Sequence, residues 1–298
     1  MTPDLGGVFL PVTTPFDGAT GDVDLESFRD NLEAWFSAPL QGVLVAGSTG
    51  EAVFLEEEER RMLLGTAVKT VGGRGLVIMG AGAESTRQTA RRVQVAADLG
   101  ADAVLVKPPA YYRGAMTPEA LSAHYRAVAD VSPIPVVIYQ VPLRMSTLDL
   151  PTGLVAELSR HENIVGIKDS RGSVELVREL VSACASGFQV LVGSGAALLP
   201  AMEAGAVGGI VAVGLLAPEE AVGVARIFRK GRMEEARTLQ ERIAPVHTGI
   251  VAGMGVPGIK AALDLLGLKG GSPRMPLLPP GPDRRAEVER IVEELRRA

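Results

Sequence analysis

A lysine interrupts the otherwise apolar stretch IVGIKDS at residues 164–170. The branched apolar residues of this stretch predict a strand that is buried on both faces. Burial disfavours a charged ammonium, so it would lower the pKa of Lys168 and leave a nucleophilic amine near neutral pH. Such an amine can condense with a ketone to a Schiff base, which withdraws electrons from a neighbouring carbon–carbon bond. The structural alternative is an ion pair with Asp169, or a side chain that extends along the strand to solvent.

Two further segments carry groups that suit the same chemistry. Tyr139 ends the apolar stretch PVVIYQVP, and its phenol can transfer protons during carbinolamine formation and dehydration, although packing is the commoner role of a strand tyrosine. The turn AGSTGE offers the hydroxyls of Ser48 and Thr49 near the start of a helix, which suits a carboxylate, with a plain glycine turn as the alternative. Lys107, in AVLVKPP, also lies at the end of an apolar run. An ion pair, or a side chain that extends to solvent, would explain Lys107 as it would Lys168.

The segments that must position these side chains alternate between strand and helix patterns. Eight short apolar runs are separated by amphipathic stretches of helical period, several of which open with Asp, Ser, Thr or Pro. The runs are GVFLPVT, GVLVAGS, LVIMGAG, AVLVKPP, PVVIYQV, IVGIKDS, FQVLVGS and GGIVAVG. Strands that alternate with helices predict a parallel sheet, and eight such units favour a closed α/β barrel of the (β/α)8 TIM type. Chemistry in such a barrel lies where the strands end.

The alternation stops after residue 231. Three helical patterns and a Pro/Gly-rich connector follow, so we predict a barrel over residues 1–230 and a C-terminal helical extension over residues 231–298. The sequence GMGVPG at 253–258 matches a dinucleotide-binding pattern, but it follows a helical stretch instead of a strand and contains a proline. We therefore give it no role in binding a cofactor.

Composition narrows the classes of partner. A net charge of −5 and a pI near 5.4 argue against nucleic acid and anionic membranes and favour a small molecule. The single cysteine, Cys184, and three scattered histidines give no metal-binding spacing, so we expect neither a metal nor another cofactor. Residues 188–218 are apolar enough to span a bilayer, but their pattern changes from strand to helix to strand. The amino terminus does not resemble a signal peptide, which predicts a cytoplasmic protein.

The motifs GSTGE, KPPAYY, YQVP and GIKDS, in this order and at these intervals, resemble the pyruvate-dependent class I aldolases, the family that includes dihydrodipicolinate synthase and N-acetylneuraminate lyase. The resemblance covers essentially the whole chain. It implies a (β/α)8 barrel with a helical extension, a homotetramer, and a 2-keto acid substrate that forms a Schiff base.

The resemblance also implies a role for each matching residue. Lys168 would form the Schiff base, and Tyr139 would relay protons. Ser48 and Thr49 would contact the pyruvate carboxylate, and Thr49 would also belong to the catalytic group. Tyr112 would be a catalytic residue that reaches into a neighbouring subunit's site.

Two more residues match the substrate-binding positions of the family. Ile210 would place its backbone carbonyl near the lysine, and Arg144 would bind the carboxylate of the second substrate. The role of Gln140, beside Tyr139, stays open.

The second substrate is the harder prediction. GSTGE, KDSRG and YQVP stand where the synthase usually has GTTGE, KEATG and YNVP, while long stretches outside the site resemble 4-hydroxy-2-oxoglutarate aldolase. The first hypothesis is therefore cleavage of 4-hydroxy-2-oxoglutarate to pyruvate and glyoxylate. The alternatives are condensation of pyruvate with aspartate semialdehyde, which Arg144 favours, and cleavage of a 2-keto-3-deoxy sugar acid. A catalytically silent keto-acid-binding barrel is the non-enzymatic alternative.

Overall fold

Eight parallel β-strands close into a barrel, in which each strand pairs with its neighbours in the chain and the first pairs with the last. The computed structural model describes residues 2–297. The strands are β1 (Gly7–Pro11), β2 (Gly42–Val45), β3 (Leu76–Gly80), β4 (Ala103–Val106), β5 (Val136–Gln140), β6 (Ile164–Asp169), β7 (Gln189–Val192) and β8 (Gly208–Ile210). Each lies within one of the eight predicted apolar runs, so the predicted (β/α)8 barrel is confirmed.

A helix follows each strand and covers the outside of the barrel. These helices are α1 (Leu25–Trp35), α2 (Glu57–Val71), α3 (Thr86–Asp98), α4 (Pro118–Val131), α5 (Thr152–Leu158), α6 (Val174–Ala183), α7 (Leu198–Glu203) and α8 (Pro218–Arg229). The predicted caps form where a short polar side chain precedes the helix: Asp24, Ser85, Thr117 and Ser173 each accept a hydrogen bond from a backbone N–H of the first turn.

Segment 188–218 contributes β7, α7 and β8. Its length and apolar composition would also suit a membrane-spanning segment. Its apolar side chains are buried inside the barrel wall and against the helices, which explains their composition. Among residues 2–297, no helix has the length and apolar character needed to cross a membrane.

The chain continues beyond α8 as a helical extension. It comprises α9 (Met233–Val246), α10 (Gly255–Leu265) and α11 (Pro282–Arg297), with a π-helical segment, His247–Ala252, directly after α9. We expected one helix across α9 and the π-helical segment. Pro245 lacks an N–H and cannot donate the usual helical hydrogen bond, and the change of helix type comes two residues later. We propose that the boundary between barrel and extension lies between residues 230 and 231, between α8 and α9.

Buried polar contacts hold the extension against the barrel. Lys260 of α10 and Glu51, which follows β2, form an ion pair of 2.6 Å with both side chains almost fully buried. Arg274 donates its backbone N–H to Glu51 at 2.8 Å, and Gln240 of α9 donates its side-chain amide to the Gly195 carbonyl at 3.0 Å. Because a buried charge without a partner is costly, these contacts fix the extension against the barrel's carboxyl-terminal end.

Candidate active site

Lys168 and Tyr139 lie side by side at the carboxyl-terminal end of the barrel. They are direct partners in the register of β5 and β6, and the Lys168 Nζ lies 4.6 Å from the centre of the Tyr139 ring. Side chains alternate between the two faces of a strand, so the next pair, Gln140 and Asp169, faces away from the barrel interior. The barrel interior therefore receives the amine and the phenol together.

Burial determines the charge state of Lys168. Only 5% of the residue is exposed, and this burial lowers its pKa to about 7. The structural alternative of an ion pair with Asp169 is wrong, because the Asp169 carboxylate binds the guanidinium of Arg171. A substantial fraction of Lys168 is therefore a neutral amine near pH 7.

Lys107, the other lysine at a strand end, has a different environment. Its ammonium forms an ion pair of 2.5 Å with Glu84. An ion pair therefore explains Lys107, whose side chain is also more exposed than that of Lys168.

Tyr139 lies close to other hydroxyl groups. Its Oη is 3.4 Å from the Ser48 Oγ, and Ser170 lines the same cavity. Burial raises the pKa of Tyr139, and this effect outweighs the hydrogen bonds and the nearby charge of Arg144, which lower it. The phenol therefore keeps its proton at neutral pH and can donate it or pass it along the hydroxyls.

The turn after β2 carries Ser48 and Thr49 to the same place. Ala46 and Glu51 bracket this turn with left-handed backbone conformations, at φ values of 50° and 56°, which are strained for residues with a Cβ. The turn is closed by hydrogen bonds from the Glu51 N–H to the Ser48 carbonyl and from Thr14 to the Gly50 carbonyl. The buried contact of Glu51 with Lys260 offsets part of the strain and fixes the turn.

A cavity of about 230 Å³ connects these groups. It is lined by Ser48, Thr49, Tyr139, Arg144, Lys168 and Ile210, together with Ser170, Arg171, Ser194, His247 and several apolar or glycine residues. Six of the seven site residues predicted from the sequence thus surround one space. Arg144 reaches it from the loop after β5 and donates to the Val251 carbonyl of the extension at 3.2 Å.

Tyr112 is the predicted site residue that does not line the cavity. It lies after β4, is 74% exposed, and packs edge-on against Tyr111, which is 81% exposed. Gln140 also lies outside the cavity. It is fully buried, donates to the Leu148 carbonyl at 3.2 Å and accepts from the Leu150 N–H at 2.8 Å, so it shapes the loop that carries Arg144.

Sequence reasoning missed four polar residues of the cavity, one of which, Arg171, binds the Asp169 carboxylate. Ser170 follows the lysine by two positions, and alternation along β6 was a usable signal for its inward direction. Ser194 follows β7, and His247 begins the π-helical segment about fifty residues later. No local motif connects those two, because their contact depends on how the extension packs.

No group of three His, Cys, Asp or Glu side chains that could hold a metal ion occurs within residues 2–297. The residues that line the cavity within the same range include no Asp or Glu. The cavity therefore presents hydrogen-bond donors and cationic groups, which suit an anionic organic ligand.

Comparisons with known proteins find related sequences along nearly the whole chain. The model of the dihydrodipicolinate synthetase family matches residues 4–295. A 4-hydroxy-tetrahydrodipicolinate synthase from Exiguobacterium sibiricum is 35% identical over 91% of this chain and 92% of its own. A probable mitochondrial 4-hydroxy-2-oxoglutarate aldolase from Emericella nidulans is 34% identical over 98% of this chain and 95% of its own.

Solved structures show the same architecture. The chloride-inhibited dihydrodipicolinate synthase from Acinetobacter baumannii, in complex with pyruvate, superimposes with a TM-score of 0.93 at 29% identity, covering 98% of this chain and 99% of the other. A monomeric dihydrodipicolinate synthase variant superimposes with a TM-score of 0.92 at 27% identity, covering 97% and 96% of the two chains.

Proposed function

The chain belongs to the dihydrodipicolinate synthetase family, and on this premise we propose that it cleaves 4-hydroxy-2-oxoglutarate to pyruvate and glyoxylate through a Schiff base on Lys168. It is an enzyme of the class I aldolase and lyase type, as its relatives are. The observation that carries the proposal is the buried Lys168 amine, placed beside the Tyr139 phenol in a cavity lined by Ser48 and Thr49.

The proposed reaction begins at the neutral amine. Lys168 attacks the C2 carbonyl, and Tyr139 supplies a proton to the departing water as the carbinolamine becomes an iminium. Ser48 and Thr49 hold the C1 carboxylate near the turn after β2. This arrangement fixes the reacting carbonyl close to the amine and to the proton donor.

The bond between C3 and C4 breaks next. The C4 hydroxyl loses its proton to the hydroxyls around Tyr139, the aldehyde of glyoxylate forms, and the bonding electrons move to the iminium to give an enamine. Protonation at C3 and hydrolysis then release pyruvate and restore the amine. Arg144 binds the distal carboxylate and keeps the C3–C4 bond aligned with the iminium.

Condensation of pyruvate with aspartate semialdehyde is the second candidate. Arg144 lines the cavity, where it can bind the carboxylate of either second substrate. We rank the aldolase first because long stretches of sequence resemble it and because Ser170, which distinguishes KDS from KEA, lines the cavity. A sugar-acid aldolase remains the third candidate.

We also propose a homotetramer in which Tyr112 enters a neighbouring subunit's site. Its support is the pair of exposed aromatic side chains, Tyr111 and Tyr112, on the loop after β4. A cytoplasmic location stays a prediction. Sedimentation of the wild-type chain and of Tyr112→Ala tests the assembly, and a monomeric wild type with full activity would contradict it.

Reductive trapping tests the Schiff base directly. The chain is incubated with pyruvate and borohydride, and its intact mass and the modified peptide are measured. We expect one pyruvate-derived adduct on Lys168, none in Lys168→Met, and an unchanged adduct in Lys107→Met, the matched control. A wild type without an adduct would refute the class of reaction. Pyruvate release from 4-hydroxy-2-oxoglutarate, compared with condensation of pyruvate and aspartate semialdehyde, then decides between the substrates.

A further inference from the structure

The end of β7 brings a second hydroxyl to the cavity wall. Ser194 lies between Gly193 and Gly195 and lines the cavity. A Cβ at Gly193 would overlap the side chain of Ser170, so this glycine lets the ends of β6 and β7 approach closely. Because β8 and β1 lie between β7 and β2 in the ring of eight strands, Ser194 enters the cavity from a different part of the ring than Ser48 and Thr49.

His247 determines how the Ser194 hydroxyl is oriented. The His247 Nδ1 accepts from the Gly195 backbone N–H at 3.2 Å, and its Nε2 lies 3.2 Å from the Ser194 Oγ. A backbone N–H can only donate, so the neutral ring must carry its proton on Nε2 and donate it to Ser194. Burial lowers the pKa of His247 to about 4, so the ring is neutral near pH 7. The Ser194 proton must therefore point away from His247, toward another acceptor.

The same segment of the extension also positions Arg144. Its guanidinium donates to the Val251 carbonyl, four residues after His247. The π-helical segment therefore contacts both Ser194 and Arg144, whereas Ser48 and Thr49 enter the cavity from the turn after β2. A 2-keto acid attached to Lys168 through C2, with its C1 carboxylate at the turn after β2, would extend its remaining carbons toward Ser194.

We propose that Ser194 donates a hydrogen bond to an oxygen in the half of the substrate that becomes the aldehyde, and that His247 positions this hydroxyl. The inference rests on the proposed function and deepens it: Ser194 is a specificity-determining residue, and His247 is a positioning residue supplied by the extension. The substrate class is a 2-keto acid with a hydroxyl or carboxylate oxygen beyond C3.

A double-mutant cycle tests this assignment. Ser194→Ala, His247→Phe and the double variant are compared with wild type for KM and kcat on 4-hydroxy-2-oxoglutarate, or on aspartate semialdehyde if wild type runs only the condensation. Loss of one neutral hydrogen bond predicts a KM for that substrate that is about two- to tenfold higher in Ser194→Ala. His247→Phe should raise KM by a similar factor. The KM of the double variant should be no higher than that of the more impaired single variant, because both changes remove the same interaction.

Trapping with pyruvate alone separates this inference from the proposed function. Pyruvate lacks the aldehyde half, so all three variants should form the Lys168 adduct at the wild-type rate, as should the surface control Ser182→Ala. Any of three results would overturn the inference. The first is an unchanged KM in Ser194→Ala, and the second is a double variant whose KM increase is the product of the two single increases. The third is a loss of pyruvate trapping in the variants as large as their loss of activity. Failure of wild type itself to trap pyruvate would instead refute the proposed function.

Discussion

The lowered pKa of Lys168 predicts a particular pH dependence for Schiff-base formation. Only the neutral amine attacks a ketone, so the rate of imine formation should follow the neutral fraction of Lys168. Because burial lowers the pKa from 10.5 to about 7, this fraction should rise with pH through the neutral range. Burial raises the pKa of Tyr139, so the phenol should not lose its proton in the same range.

The size of the effect follows from the shift. A group with a pKa of about 7 is about half neutral at pH 7 and about 1% neutral at pH 5. At the ordinary pKa of 10.5, about 0.03% would be neutral at pH 7, so burial increases the reactive fraction about 1,500-fold. The rate should thus rise about tenfold per pH unit below pH 6 and level off above about pH 8.

The assay is the rate of pyruvate-dependent adduct formation between pH 5.5 and 9.5, with cyanoborohydride as the reductant because it survives mild acid. The substrate concentration is saturating, and intact mass measures the adduct. Ser182→Ala, an exposed change on α6, should reproduce the wild-type profile. A rate that still climbs tenfold per unit above pH 8.5 would show an ordinary lysine pKa and refute the argument from burial.

Three other changes test the same structure. Lys168→Met should raise the free energy of unfolding by up to about 3–5 kcal/mol at pH 6, where the buried ammonium is charged. This gain should shrink as the pH rises from 7 to 10.5, because the folded and unfolded states then both come to hold a neutral lysine. Denaturant titrations at several pH values measure the gain, and a gain that grows with pH would contradict this reasoning. Tyr139→Phe should slow pyruvate trapping by about 10²-fold or more while the melting temperature changes little, and an unchanged rate would remove Tyr139 from the proton relay. Glu51→Gln should lower the free energy of unfolding by about 3–5 kcal/mol, because Lys260 is left buried without its carboxylate partner. A urea titration measures this loss. The double variant Glu51→Gln/Lys260→Met should recover part of it, because the buried charge is then removed as well.

The barrel and the central pair of the site could be predicted from sequence because both depend on local patterns. Apolar runs separated by amphipathic stretches fix the strands, and the strand ends of a closed parallel barrel meet at one face. Tyr139 and Lys168 end consecutive strands, so their proximity followed from the strand order alone.

The electrostatic partners could not be predicted, because they depend on tertiary placement. Lys107 and Lys168 have similar local sequences, but Lys107 is partly exposed and pairs with Glu84, whereas Lys168 is buried and its pKa is lowered. Asp169 illustrates a related limit. It follows the lysine directly, but it lies on the opposite face of β6 and binds Arg171, so only the lysine and the serine of the KDS motif line the cavity.

The buried contacts of the extension also make the geometry of the cavity depend on residues that come late in the chain. Lys168 and Tyr139 are translated well before His247, Lys260 and Arg274, which orient Ser194 and hold the turn after β2. A barrel without the extension would therefore hold the Lys168 amine and the Tyr139 phenol but would lack the contacts that orient Ser194 and fix the turn after β2.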